Sequence, residues 1–254
     1  MSFLQDRVLE LYKEGFRASP VLDQYFIIDE GVLRRAVQYA HITGNETVLE
    51  VGTGLGFLTR ELAKTGARVI TLEKDLRLKP ILEKELAGLS NVEVHWQDAV
   101  KERWPGFDRL VANWPYSASA PLTFKLLDYT FKKAVVFYQK EFGKKLVSRE
   151  MGEFGRISIM AQYYFDVRLE EIVPRGAFYP HPATDACIVS LVPRGVPRDR
   201  EFETFVREVW RHSNKDVRNA VKLATGRDIP DDRKLFSLSV SDLRELYGKV
   251  KNAK

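Results

Sequence analysis

Between Thr47 and Tyr138, five short apolar runs alternate with amphipathic stretches, and this alternation restricts the fold more than any other feature of the chain. TVLEVG (47–52), ARVITLE (67–73), NVEVHW (91–96), DRLVANW (108–114) and KAVVFY (133–138) read as strands. FLTRELAKTG (57–66), RLKPILEKELAG (77–88) and PLTFKLLDYTF (121–131) repeat apolar residues every three to four positions, the helical spacing. Gly66 and Gly88 stand where glycines close helices. Strands joined by helical crossovers run parallel, and such a sheet is covered on both faces. DVRLEEIVP (166–174) and DACIVSLVP (185–193) read as closing strands, which predicts an antiparallel hairpin at the sheet edge. The fold class is therefore α/β, an open Rossmann-like sheet.

The strand pattern stops at PRGVPRDR (193–200), whose prolines, glycine and charges suit a linker. Beyond it the spacing is helical. This predicts one domain over 1–193 and a small helical domain over 194–254. Charge divides at the same place. Residues 194–254 hold 15 Lys and Arg against 10 Asp and Glu, whereas residues 1–193 are neutral, so the whole net charge of +5 lies in the last quarter. That asymmetry suits a polyanionic partner, and equally a solvated helical tail. The single cysteine, Cys187, excludes an intrachain disulfide and a thiolate metal cluster. His41, His95, His181 and His212 lie far apart without ligand spacing, so no metal site is expected. No apolar run approaches a membrane span, and MSFLQDRVLELYKEG lacks a signal-peptide core. The expectation is a cytoplasmic monomer without a membrane.

Three chemically suggestive features fall at successive strand ends. EVGTGLGFLT (50–59) follows a strand and opens a helix, with Gly52, Gly54 and Gly56 bare where a ligand approaches backbone. The pattern suits a dinucleotide, a nucleoside-type cofactor or a tight turn, and its spacing departs from the dinucleotide fingerprint. Glu73 ends the next strand and can accept both hydroxyls of a ribose. Asp98 ends the third and can accept from an adenine amino group. In an open parallel sheet these ends line one crevice. Dinucleotides and S-adenosylmethionine both fit these three.

VANWPYSAS (111–119) ends the fourth strand. Asn113 offers an amide carbonyl, Pro115 has no N–H and leaves carbonyls free, and Tyr116 offers a flat face. Such a group can hold an exocyclic amine while its ring stacks. It can equally be a turn with Tyr116 in the core.

Taken together, EVGTGLGFLT, Glu73, the QDA at 97–99 and NWPYSASAP resemble the rRNA adenine N6,N6-dimethyltransferases of the small ribosomal subunit. LDQYFIID (22–29), FYQKEFGKKL (137–146), FGRISIMAQ (154–162) and AFYPHPATDACIVSL (177–191) resemble further segments of that family, in family order. The resemblance implies a class I S-adenosylmethionine-dependent methyltransferase fold, with Tyr25, Ile27, Gly52, Glu73 and Asp98 as cofactor contacts beside Gly54 of the same loop. It implies Asn113 between cofactor and substrate, Tyr116 and Phe178 sandwiching or orienting the target adenine, and two adjacent adenines methylated twice each on the small-subunit rRNA of a ribosomal particle. The sequence departs from the family at Trp114, usually a small apolar residue, and at Ala186, usually serine. It departs again in NKDVRNAVK (214–222), a loose version of a more basic segment.

Residues 201–224 read as one amphipathic helix. Arg207, Arg211, Lys215, Arg218 and Lys222 form a cationic stripe opposite Phe202, Phe205, Val206, Val209, Val217, Ala220 and Ala224. The stripe suits phosphate contacts with RNA, or simply solvent. Lys140, Lys144, Lys145, Arg149 and Arg156 form a second cluster. A resistance-type dimethyltransferase of large-subunit rRNA shares the cofactor and amine motifs. A non-catalytic RNA-binding assembly factor would share the fold, but intact Glu73, Asp98 and NWPY argue against lost catalysis. A dinucleotide oxidoreductase would need a hydride-transfer acid, and none stands out.

Overall fold

The computed structural model describes residues 2–148 and 155–253. In chain order it contains α1 (Phe3–Lys13), β1 (Phe26–Ile27), α2 (Glu30–Ala40), β2 (Thr47–Val51), α3 (Phe57–Ala63), β3 (Arg68–Glu73), α4 (Lys79–Glu85), β4 (Val92–Trp96), β5 (Arg109–Ala112), α5 (Ser119–Lys125), β6 (Lys133–Gln139), α6 (Lys140–Val147), α7 (Arg156–Tyr164), β7 (Phe165–Val173), β8 (Phe178–Tyr179), β9 (Ala186–Pro193), α8 (Arg200–Trp210), α9 (Val217–Thr225) and α10 (Val240–Asn252). Contacts group residues 1–143 with 168–193 as one unit, and 144–167 with 194–254 as a second. The second unit thus reaches back to take in 144–167, which the strand pattern assigns to the first.

The first unit holds the sheet, in the order β4-β3-β2-β5-β6-β9-β7. β4, β3, β2, β5 and β6 pair in parallel. β9 runs antiparallel to β6, with Val136 opposite Val189. Neighbouring β2 and β5 connect through the intervening β3 and β4, so the chain reverses its direction of travel across the sheet between them. Their carboxyl ends open a crevice there. β-Branched and apolar side chains fill the parallel strands, and Val48, Val69, Val111 and Val135 are all fully buried. α2 begins at Asp29, whose carboxylate accepts the Val32 N–H at 3.0 Å, and buries Val32, Leu33, Ala36 and Ala40 in the core cluster that contains Val48 and Val111. β1 pairs antiparallel with β8, Ile27 opposite Phe178, which ties the N-terminal segment to the far end of this unit.

In the second unit the expected helix over 201–224 is two helices, α8 and α9. Arg211 caps α8, and Asp216 opens α9 by accepting the Asn219 N–H at 2.8 Å. The polar run 213–216 supplies turn and cap chemistry in place of a continuous helix. The stripe is therefore divided between two helices and the turn joining them. The apolar positions still face inward: Phe202, Phe205, Val206, Val209, Val217 and Ala220 are buried, and Ala224 is partly so. Arg244 of α10 lies over the rings of Phe202, Tyr247 and Tyr163 at 4.9, 5.3 and 5.6 Å.

Candidate active site

The crevice at the strand ends is a cavity of the first unit, lined among others by Tyr25, Gly52, Gly54, Glu73, Asp98 and Asn113, with Ile27 as well. Every cofactor residue expected from the sequence meets there. Gly52 holds φ at +86° and Gly54 at +55°, a region L side chains rarely adopt. A β-carbon on Gly52 would stand 3.4 Å from the Asn113 carbonyl, so the glycine loop and NWPY come into direct contact. On Gly54 it would stand 3.3 Å from the ring of Phe26.

Glu73 is 7% exposed. Its Oε1 accepts the Lys74 and Asp75 N–H groups, and its Oε2 accepts the Gly54 N–H, each at 2.9 Å. Burial pushes this carboxyl upward, while the three backbone donors pull it back. Each carboxylate oxygen carries two lone pairs, so Oε1 is filled and Oε2 keeps one for a ribose hydroxyl. Asp98 closes its own turn, accepting the Val100 N–H at 2.9 Å, and also lines the cavity.

Asn113 follows the last residue of β5. Its Nδ2 donates to the Tyr25 carbonyl at 2.9 Å. That bond fixes which end of the amide is which, and leaves Oδ1 as the acceptor on the other side. The Pro115 carbonyl accepts the Ala118 N–H at 3.0 Å, so the turn occupies that acceptor. Pro115 and Ala118 line the cavity.

Neither aromatic residue assigned to the target adenine lines the cavity among the described residues. Tyr116 stacks on Tyr25, with ring centres 5.6 Å apart and planes at 29°. Burial pushes its hydroxyl pKa up, and that oxygen has no hydrogen-bond partner among the described residues. Phe178 is fully buried, packed edge-on against Phe137 at 6.4 Å. It does not line the cavity among the described residues, so the two rings do not form an open sandwich here. Packing explains this. Phe178 sits in β8 opposite Ile27, and its side chain enters the core that α2 also covers.

Residues 23–25 connect two strand-end loops, those after β3 and β5. The Asp23 carboxylate accepts the Ser117 N–H at 2.9 Å, Gln24 Nε2 donates to Asp75 at 2.7 Å, and the Tyr25 carbonyl accepts from Asn113. Gln24 lies in the LDQYFIID segment, whereas Asp75 is not marked by local sequence. Glu50 is another residue that pattern reading passes over, although an acid inside the apolar run TVLEV is its signal. It is fully buried, its Oε2 accepts the Thr59 and Thr71 hydroxyls at 2.6 Å each, and burial pushes its pKa up to about 8.

Arg207, Arg211, Lys215, Arg218 and Lys222 are all exposed. Arg207 and Arg211 both pair with Glu208, and Arg218 pairs with Asp228 at 2.6 Å. Lys215 and Lys222 make no ion pair among the described residues. Of the second cluster, Lys140 pairs with Asp185 in the first unit, and Lys144, Lys145 and Arg156 belong to the second. Arg149 lies outside the described residues.

The family described as "Ribosomal RNA adenine dimethylase" matches residues 15–236. The chain belongs to that family. It is 36% identical to a probable ribosomal RNA small subunit methyltransferase A of Thermococcus sibiricus, over 94% of both chains. It is 40% identical to the one of Pyrococcus furiosus, over 84% of this chain and 78% of the other. Among solved structures, a dimethyladenosine transferase from Plasmodium falciparum superposes with a TM-score of 0.79 at 25% identity, over 89% of this chain and 98% of that one. The 23S rRNA methyltransferase ErmE shares the fold, with a TM-score of 0.70 at 24% identity over 89% of this chain and all of that one. The fold is that of class I S-adenosylmethionine-dependent methyltransferases. The cavity fits their cofactor, with side-chain-free backbone at Gly52 and Gly54, a buried acid with one acceptor position free on Oε2, and a second acid one strand further on.

Proposed function

We propose that this chain transfers methyl groups from S-adenosylmethionine to N6 of two adjacent adenines in small-subunit rRNA, twice on each, acting on a ribosomal particle in the cytoplasm. The observation that carries this reading is the Asn113 amide. Its nitrogen is held by the Tyr25 carbonyl, so its oxygen is set to accept from an incoming amine. Bound in the crevice, S-adenosylmethionine supplies an electrophilic sulfonium methyl. Glu73 holds a ribose hydroxyl, and Asp98 takes the cofactor's adenine amino group. Asn113 Oδ1 accepts one hydrogen of the target amine. A backbone carbonyl of the NWPY segment is the second acceptor. Holding both hydrogens in this way draws the nitrogen lone pair out of ring conjugation and aims it. The nitrogen–carbon bond would form as the sulfur–carbon bond breaks, S-adenosylhomocysteine would leave as the neutral thioether, and the ammonium so formed would lose one proton to solvent. Positioning and preorganised polarity account for the rate. Tyr116 orients the target adenine, and Phe178 supports that wall from the core. Arg207, Arg211, Lys215, Arg218 and Lys222 contribute phosphate contacts.

The large-subunit alternative shares the cofactor and amine motifs. The names of the Thermococcus and Pyrococcus relatives favour the small subunit. Incubation of unmethylated small subunits with labelled cofactor, followed by mapping of the label, tests the reading. Dimethyladenosine at two neighbouring positions is expected. Label confined to large-subunit rRNA, or on a ribose or another base, contradicts it.

A further inference from the structure

Lys125, the last residue of α5, spends its ammonium on one loop. Its Nζ donates to the carbonyls of Ala99, Val100 and Glu102 at 2.7, 3.1 and 2.5 Å. An ammonium has three hydrogens, and three backbone carbonyls receive them. The same Nζ lies 5.3 Å from the centre of the Trp104 ring, and Trp104 Nε1 donates to the same Ala99 carbonyl at 2.8 Å. Lys125 makes no ion pair with a carboxylate among the described residues, and desolvation by burial lowers its pKa. A lysine that gives up hydration without gaining a salt bridge is held by what its carbonyl partners offer.

Those carbonyls belong to the turn that forms one wall of the cofactor cavity, which Asp98, Ala99 and Val100 line. From the cavity side, Asp98 closes the same turn. Its carboxylate accepts the Val100 N–H, and its carbonyl accepts the Lys101 and Glu102 N–H groups at 3.0 and 2.9 Å. The turn is thus gripped from both ends, by Asp98 at its start and by Lys125 with Trp104 at its carbonyls. We infer that Lys125 is a positioning residue for the cofactor's adenine, holding Asp98 and the Ala99–Val100 backbone in the shape that receives the base. This rests on the reading of the cavity as an S-adenosylmethionine site with the base at Asp98.

Binding of S-adenosylhomocysteine and of S-ribosylhomocysteine, which lacks the base, separates the possibilities. Lys125→Met is expected to weaken S-adenosylhomocysteine about tenfold or more, the scale of losing charge-assisted bonds, and to leave S-ribosylhomocysteine unchanged. Lys125→Arg, which can donate to the same carbonyls, is expected to stay within a few-fold of the parent. Trp104→Phe removes only the Nε1 bond and is expected to show a smaller loss with the same selectivity, which keeps the inference open to refutation where Lys125→Met does not fold. Unchanged affinity for S-adenosylhomocysteine in a folded Lys125→Met, or equal loss of both ligands, overturns the inference. A parent protein that binds neither ligand overturns the cofactor reading itself, and the inference with it.

Discussion

At the scale of single residues, two buried acids on neighbouring strands do different work. Glu73 meets three backbone N–H groups and keeps one lone pair free on Oε2, whereas Glu50 meets only two hydroxyls. Glu73→Ala removes the proposed ribose acceptor, and it also frees the Gly54 N–H. Loss of charge-assisted bonds costs roughly 1.5–3 kcal/mol, so the dissociation constant for S-adenosylmethionine is expected to rise roughly ten- to hundredfold. Titration calorimetry checks this, and an unchanged constant removes Glu73 from the site. Glu50 makes a statement about pH. Its pKa of about 8 lies above the ordinary 4.5 because the charged form is desolvated. The folded state therefore holds a proton that the unfolded state loses first. The stability from this group is full below about 4.5, falls as pH rises, and is gone once pH passes about 8. Glu50→Gln mimics the neutral acid, so its melting curves should lack that decline and exceed the parent's at pH 9 by an amount on the order of a few kcal/mol. Parallel stability–pH profiles for the two proteins contradict the assignment. Glu73 and Asp98 are legible because they end apolar runs next to a glycine loop. Glu50 looks like an interruption of a strand, and only the fold shows that Thr59 and Thr71 reach it.

At the scale of elements, strands are easier to read than their partners. β2, β3, β4 and β6 lie within a residue or so of their apolar runs, because continuous β-branched burial is a local signal. DRLVANW overshoots, since β5 stops at Ala112 and releases Asn113 to bond Tyr25 instead of a neighbouring strand. The two-residue pairing of β1 with β8 spans most of the chain and leaves no periodicity to find. The break in the helix over 201–224 is legible in principle, because Asp216 is a good N-cap ahead of an apolar repeat. α8 offers a direct check on cap energetics. Asp199 accepts the Phe202 N–H at 2.9 Å and pairs with Arg244 at 2.6 Å. Asp199→Ala should destabilise α8 by about 1 kcal/mol or somewhat more, seen as faster hydrogen exchange at its first-turn amides with α3 amides unaffected. Equal protection in both proteins would show that the cap contributes little.

At the scale of the whole molecule, all the excess positive charge falls in residues 194–254, while NWPY and the strand-end crevice belong to the first unit. The charge asymmetry is readable from the sequence, but which cations are available is not. Arg207, Arg211 and Arg218 already have carboxylate partners, so Lys215 and Lys222 are the ones expected to meet phosphate first. Reversing both to Glu should weaken rRNA binding and reduce the slope of log affinity against log salt by about one for each phosphate that is no longer neutralised. An identical slope shows that they only face solvent. The central claim, that NWPY is an amine pocket and not a plain turn, rests on Asn113. The proposed contact with the target nitrogen would strengthen toward the transition state, so its loss belongs in turnover. The most direct measurement is single-turnover methyl transfer to unmethylated small subunits by Asn113→Ala and the parent, with cofactor affinity and melting taken on the same preparations. A rate lower by about a hundredfold or more, with a comparable melt and cofactor affinity within a few-fold, is the predicted result. A folded, cofactor-binding Asn113→Ala that dimethylates at the parental rate would contradict it.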